Sequence, residues 1–196
     1  MRFIKTTFTG YTRQSVKDIF GASVLVVTAH PDDECLAAGA LYRYLERAVF
    51  AHITDGAPGN LTEARSRGFS TVEDYADARR RELHSALALA GVRPQDCLQA
   101  GIPDQEVSRR LVDATEWVRG RIKEIEPETI ITLAYEGGHP DHDAVCFAAH
   151  AAAALLRQEG TQSPPIIECP LYHAEGSVSR RMNPGFLPRQ DVEPIT

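Results

Sequence analysis

Two short segments concentrate the side chains that could do chemistry: Ala29-His30-Pro31-Asp32-Asp33-Glu34, and Tyr135-Glu136-Gly137-Gly138-His139-Pro140-Asp141-His142-Asp143. Imidazole nitrogen and carboxylate oxygen are standard zinc ligands, and a catalytic zinc takes three protein ligands and keeps a fourth position open. His30 and Asp33 stand three apart, and His139 and His142 repeat that spacing. The acids and the histidine left over are then free for proton transfer. The plain structural alternative is that Asp32 or Asp33 caps a helix beginning near Glu34, with Pro31 and Pro140 merely shaping turns. Two His-Pro-Asp segments in one chain are hard to dismiss that way. His52, His84, His150 and His173 lack neighbours that build a site and read as packing residues.

Such groups work only where the fold fixes them. Residues 23–29 (SVLVVTA) form a β-branched run that predicts a buried parallel strand ending at the first segment. Residues 34–47 have helical spacing, and 48–54 read as a second strand closed by Asp55-Gly56. The polar stretch 57–71 reads as a long loop, of the sort that is often functional. Residues 72–90 predict a helix stopped at Gly91. Beyond it come a third strand at 96–100, a helix at 106–125, a strong strand at 129–134, an Ala-rich helix at 143–158 and a last strand at 165–173. The alternation predicts an α/β fold with a mostly parallel sheet. Ligands of such sheets bind beyond the carboxyl ends of the strands, where both segments fall.

The 196 residues predict one domain over 1–196, with 176–196, which hold Pro184, Pro188 and Pro194, as an irregular tail. Hydrophobic residues make up 43%, enough for a globular core and too many for wholesale disorder. The charge is 21 − 27 = −6, and the longest basic run is Arg79-Arg80-Arg81, so no nucleic-acid partner is expected. No apolar run approaches the ~18 residues of a membrane helix, so no membrane insertion is expected. The first twenty residues are too polar for a signal peptide. Cys35, Cys97, Cys146 and Cys169 are far apart and form no CxxC pair. They read as small buried residues of a reducing compartment, which makes the cytoplasm the expected location.

AHPDDE after a first strand, with HPDH after a later one, resembles the PIG-L/LmbE-like family of zinc-dependent de-N-acetylases, over about residues 23–150. Weaker matches lie between: Thr54-Asp55-Gly56, the stretch from Arg79 to Leu83 leading to Ala90-Gly91-Val92, and Gly101-Ile102-Pro103-Asp104. The resemblance implies a Rossmann-like fold with helices on both faces of the sheet. It also implies hydrolysis of an N-acetyl group from a small-molecule amino sugar, such as N-acetylglucosamine, or its conjugate. Residue by residue, it implies His30, Asp33 and His142 as zinc ligands and Asp32 as the general base that deprotonates a metal-activated water. It makes His139 the partner of the oxyanion or of the leaving amine, and Asp141 the carboxylate that orients a histidine. The physics suits these roles, because an amide is a poor electrophile until its carbonyl is polarised.

Arg79 and Asp104 fall where the family contacts substrate; their surface alternatives are a solvated helix face and a turn. Some members carry a tyrosine two residues before the first histidine of the second motif. Here that place is Gly137, and Tyr135, four before, is the nearest candidate. Many relatives carry more chain after the last strand, so the pocket is expected to be open, to be walled by a partner subunit in a homo-oligomer, or to be completed by further chain beyond Thr196. Two histidines and one aspartate also accept Fe2+ or Co2+. The alternatives are a metal-dependent hydrolase of another amide or ester, and a non-catalytic metal- or sugar-binding module. Asp32 speaks against the module, which needs no base. No GxGxxG or GxxxxGK[ST] loop supports nucleotide binding.

Overall fold

The computed structural model describes residues 2–4, 12–38, 42, 44–175, 181–183 and 193–195. The described strands, in chain order, are β1 (Arg2–Ile4), β2 (Ser23–Thr28), β3 (Arg47–Pro58), β4 (Cys97–Asp104), β5 (Thr129–Leu133), β6 (Ile166–Cys169), β7 (His173–Glu175), β8 (Arg181–Asn183) and β9 (Glu193–Ile195). The described helices are α1 (Arg13–Phe20), α2 (Asp33–Ala38), α3 (Leu61–Ser66), α4 (Val72–Ala88), α5 (Leu111–Ile125) and α6 (Pro140–Gln158). Seven strands form one parallel sheet in the order β4-β3-β2-β5-β6-β1-β9, while β7 and β8 pair antiparallel. The fold is α/β and Rossmann-like, with helices around a parallel sheet.

The sheet order explains why two distant segments meet. From β2 the chain runs outward through β3 and β4, then returns to place β5 on the other side of β2. The crevice at such a reversal, outside the carboxyl ends of the strands, is the favoured ligand site of open α/β sheets. Both His-Pro-Asp segments leave from that reversal, one after β2 and one after β5. Their strands are near-continuous apolar runs: Val24–Val27 and Ile130, Ile131 and Leu133 are at most 1% exposed, as strands covered on both faces must be. Val27 pairs with Thr132 of β5 and Thr28 with His52 of β3, so the strand ends are in register.

Several boundaries differ from those expected. The 57–71 loop contains α3, capped by the Asn60 side chain on the Thr62 N–H. The last long helix begins at Pro140 rather than at 143, because His139 supplies the cap and proline suits the first turn. This puts His142 inside the first turn of α6. Of the expected helix at 34–47, residues 33–38 are helical, Arg47 already belongs to β3, and 39–41 and 43 lie outside the described residues. In the expected irregular tail, 181–183 and 193–195 are strands, the latter paired with β1; the rest of 176–196 lies outside the described residues. No cysteine is in a disulfide, and Cys146 and Cys169 are buried as expected, but Cys35 is exposed and Cys97 only half-buried. Among the described residues, no helix is long and apolar enough to cross a membrane.

Candidate metal centre

At the end of β2 the Ala29 carbonyl accepts both the Thr54 N–H and the Thr54 hydroxyl, each at 2.9 Å, which locks the exit of β2 to β3. Pro31 then packs on Gly56. That glycine has φ +74°, and a Cβ there would lie 2.8 Å from Pro31 Cδ and 3.3 Å from Arg79 Nε. Asp55-Gly56 does not end the strand as expected, since β3 runs on to Pro58; at Gly56 the missing side chain lets Pro31 and Arg79 approach.

His30 Nδ1 lies 3.2 Å from Asp33 Oδ2 and 3.3 Å from His142 Nε2, and His142 Nε2 lies 3.3 Å from Asp33 Oδ1. Four ligands held tetrahedrally at zinc bond lengths of 2.0–2.1 Å stand about 3.3–3.4 Å apart. The three side chains thus have the mutual spacing of one ion's ligands, with two imidazole nitrogens aimed at each other. The Asp33 carboxylate is fixed by the His30 N–H, 2.8 Å from Oδ2. The residues present fit a zinc-type ion. A His139 ring nitrogen is also within 4.8 Å of nitrogens of His30 and His142, and its ring stands edge-on to that of His30 at 4.8 Å.

The other nitrogen of His30 faces a second layer of acid. Nε2 is 2.9 Å from Asp104 Oδ1 and 3.4 Å from Asp141 Oδ2. Among the described residues neither His30 Nε2 nor Asp104 Oδ1 forms a well-aligned hydrogen bond, so close approach of charge carries the contact. Burial opposes a proton on His30, but Asp104, Asp141 and Asp33 outweigh it and push the pKa up to about 12. Asp33 responds in kind: burial would raise it, and the two histidines hold it well below the usual carboxylate range. The site is built to concentrate negative charge around a cation. Asp141 is fully buried and also accepts the Gln105 N–H at 2.6 Å and the Val107 N–H at 3.1 Å. It pins the end of β4, and with it Asp104, beside His30. His139 differs. Burial and the neighbouring His30 and His142 lower its pKa, and its Nδ1 accepts the Asp141 N–H at 3.2 Å, leaving Nε2 as the nitrogen able to donate.

Asp32 has φ +153°, a region that side chains other than glycine rarely adopt; such a conformation costs about 1–3 kcal/mol. Its carboxylate is 63% exposed, and Oδ2 accepts Arg79 Nη2 at 2.9 Å, while the same Nη2 donates to the Pro31 carbonyl at 2.7 Å. Arg79, the expected substrate contact, lines the cavity and also grips Asp32, the neighbour of Asp33. Glu34, 1% exposed, was not singled out at all. Its Oε2 accepts the Asp32 N–H at 3.0 Å and faces Nε2 of the fully buried His52 at 3.0 Å.

His30, Asp32, Asp33, Asp104 and His139 line one cavity of about 390 Å³, walled further by Glu63, Arg67, Tyr75, Arg79 and Tyr172. Tyr135 lines no part of it and is 60% exposed. The aromatic that stands over the site is Tyr172, whose ring is 5.2 Å from that of His142. Glu136 holds it there by accepting the Leu171 and Tyr172 N–H groups at 2.7 and 3.0 Å. A side chain at Gly138 would run into the Tyr172 carbonyl. Larger hollows of about 710 and 550 Å³ lie at the amino ends of β5 and β6 and contain none of these groups.

Residues 25–153 match the model of the PIG-L family, described as GlcNAc-PI de-N-acetylase. A probable N-acetyl-alpha-D-glucosaminyl L-malate deacetylase 2 of Bacillus cereus is 31% identical over 81% of this chain and 69% of its own length. A 1D-myo-inositol 2-acetamido-2-deoxy-alpha-D-glucopyranoside deacetylase 2 of Catenulispora acidiphila is 32% identical over 70% of this chain, which spans only 53% of that protein. Among solved structures, the 4-carboxy-2-hydroxymuconate hydratase GalB of Pseudomonas putida KT2440 superposes with a TM-score of 0.61 at 23% identity, covering 79% of this chain and 65% of that one. That likeness is one of fold. With most of the sheet and both His-Pro-Asp segments inside the matched span, the chain belongs to the PIG-L family of de-N-acetylases.

Proposed function

We propose that this protein is a metal-dependent hydrolase that removes the N-acetyl group from an amino sugar or sugar conjugate. The observation that carries the reading is the trio His30, Asp33 and His142 at 3.2–3.3 Å spacing, with His30 and Asp33 lining one cavity with Asp32. These three side chains hold the ion, with zinc first among candidates for two nitrogens and one oxygen. When bound, the ion polarises the amide carbonyl and makes water a stronger nucleophile at neutral pH. Asp32, held by Arg79, takes the proton of the attacking water. His139, with Nε2 open, donates a hydrogen bond to the oxygen that gains charge or to the departing amine, and the proton taken up by Asp32 leaves with that amine. Asp104 and Asp141 keep His30 turned toward the ion, as outer carboxylates do for ligating histidines. Glu63, Arg67 and Tyr172 offer a polar and aromatic wall to the sugar. The names of the relatives support an acetylated glucosamine conjugate as substrate. The absence of disulfides suits work in the cytoplasm.

The test is a panel of N-acetylglucosamine conjugates, with simple esters and non-sugar acetamides beside them, scored for free amine and for acetate. Equal release of amine and acetate, lost on stripping metal and restored by zinc, is the expected result. Turnover of esters or plain acetamides alone moves the substrate class. Metal binding with no turnover on the whole panel replaces the enzyme with a binding module.

A further inference from the structure

We propose that Glu34, braced by His52, is a positioning residue that holds Asp32 in its unfavourable backbone conformation and so aims its carboxylate into the metal cavity. The inference rests on the reading above only where it predicts kinetics. Asp32 is the one non-glycine residue of this turn with positive φ, at +153°. A conformation of that kind persists only where the surroundings over-determine it. Two groups grip Asp32 from opposite ends. Arg79 binds the carboxylate, which is largely exposed, by a guanidinium that also holds the Pro31 carbonyl. Glu34 binds the backbone. The Asp32 N–H has the His30 carbonyl at 2.9 Å, across a tight three-residue turn, and Glu34 Oε2 at 3.0 Å.

An oxygen can serve as an anchor only if it is itself fixed. Glu34 Oε2 is the same atom that faces His52 Nε2 at 3.0 Å, and Glu34 Oε1 takes the Cys35 thiol at 3.3 Å. His52 is fully buried in β3, and its other ring nitrogen, Nδ1, has no hydrogen-bond partner among the described residues. Nε2 is therefore the nitrogen placed to donate, and the ring has one polar contact to make. The Tyr42 hydroxyl closes on the Glu34 carbonyl from a third side. The path runs from a rigid sheet strand through His52 and Glu34 to the amide of Asp32. His52 was read from the sequence as packing alone; its position opposite Thr28 in the β2–β3 register is what brings it under the turn.

What the anchor requires is an acceptor oxygen rather than a charge, which separates it from general electrostatics. Gln in place of Glu34 offers one oxygen to both Asp32 and His52, whereas Ala offers none. The experiment compares Glu34→Gln and Glu34→Ala as zinc-loaded proteins, by crystal structure, zinc content and steady-state kinetics on 4-nitrophenyl N-acetyl-β-D-glucosaminide. In Glu34→Ala we expect Asp32 to relax to negative φ, the Arg79 contact to open, and kcat to fall about 10- to 100-fold, the effect of a small misplacement of a reacting group. Its zinc content should equal the parent's, and KM should hold within about twofold, since uniform binding is untouched. Glu34→Gln should keep the positive φ and most of kcat. If Glu34→Ala does not fold, His52→Leu against His52→Gln poses the same contrast one link further back. Asp32 keeping its φ and its Arg79 contact in the Ala or Leu variant overturns the proposal, as does Gln acting like Ala. If the parent releases no amine at all, the deacetylase reading fails, and the crystal structures still decide the anchor.

Discussion

Helix α6 carries two histidines eight residues apart, His142 and His150, and each meets a carboxylate, His142 that of Asp33 at the start of α2 and His150 that of Glu168 in β6. Around His142 the side-chain nitrogens and oxygens of His30, Asp33 and His142 stand 3.2–3.3 Å apart, a spacing that would suit the ligands of one ion. Around His150 the geometry is closed. Its Nε2 sits 2.7 Å from Glu168 Oε1, a direct hydrogen bond, with Cys146 Sγ at 3.5 Å from the same oxygen. Cys, His and Glu lie within 4.8 Å of one another there, as the ligand types of a metal site do. Yet a hydrogen-bonded pair at 2.7 Å leaves no room for an ion between its atoms. His150 is also 40% exposed in its side chain and touches nothing of the cavity that holds Asp32. Proximity of ligand-type residues is therefore a weak signal, and spacing, surplus carboxylate and a neighbouring base make the stronger one.

The sharpest way to break this comparison is elemental analysis. The parent should carry about one zinc per chain. His142→Ala should carry almost none, while His139→Ala and His150→Ala keep most of it. Loss of metal from His150→Ala would make the second cluster a site as well; retention by His142→Ala would remove the first.

Next in size is the contrast between neighbours within the first cluster. Asp32→Asn keeps its shape and loses its proton acceptor, so it should bind metal as the parent does and lose on the order of 10²–10⁴ in kcat. Asp33→Asn should weaken metal binding instead, with activity partly restored by excess zinc. Swapped outcomes would exchange the roles of the two aspartates.

Much of this site was legible because it is local. His30, Asp32 and Asp33 lie within four residues, as do His139, Asp141 and His142, and each group directly follows a strand whose β-branched run is plain in the sequence. What was hidden depends on long-range register. Glu34 and His52 meet because Thr28 pairs with His52. Tyr172 replaces Tyr135 over the site because Glu136 and the bare backbone of Gly138 seat the 171–172 turn there, and periodicity carries no trace of that. The strands β1, β8 and β9 have three residues each, too few for any alternation to register. Arg79 was found by its place in the motif order, but its partner was not.

That partner sets the third prediction. An arginine that only met substrate would, on removal, raise KM and spare kcat. With Nη2 committed to Asp32 and Pro31, Arg79→Ala should instead lower kcat about tenfold and shift KM little. A pure KM effect would return Arg79 to substrate binding.

The charge surplus around His30 predicts a pH effect of similar size. Its pKa is raised to about 12 against the opposing effect of burial, by Asp104, Asp141 and Asp33, so the metal-free chain holds that proton at neutral pH. An ion entering at Nδ1 must displace it. Raising the pH makes the displacement easier, so apparent metal affinity should rise about tenfold per pH unit near neutrality. Asp33, held low, has no proton to give there. Calorimetry in two buffers of different ionisation enthalpy should count about one proton released per ion. A count of zero would mean that His30 is already neutral in the metal-free protein.

The smallest effect belongs to the second cluster and concerns stability alone. Glu168 is buried at 1% exposure and accepts His150 at 2.7 Å. Removing a hydrogen bond to a buried charged group costs about 1.5–3 kcal/mol in general. Because the His150 side chain is 40% exposed and water can replace part of the contact, the loss should be nearer about 1 kcal/mol. His150→Ala should lower the urea midpoint with an unchanged slope, while zinc content and kcat stay at the parent's values. His150→Gln, which restores a donor, should recover most of the loss. A His150→Ala variant as stable as the parent would show that the other contacts of Glu168 carry its charge, and the two histidines of α6 would then differ even more than their distances suggest.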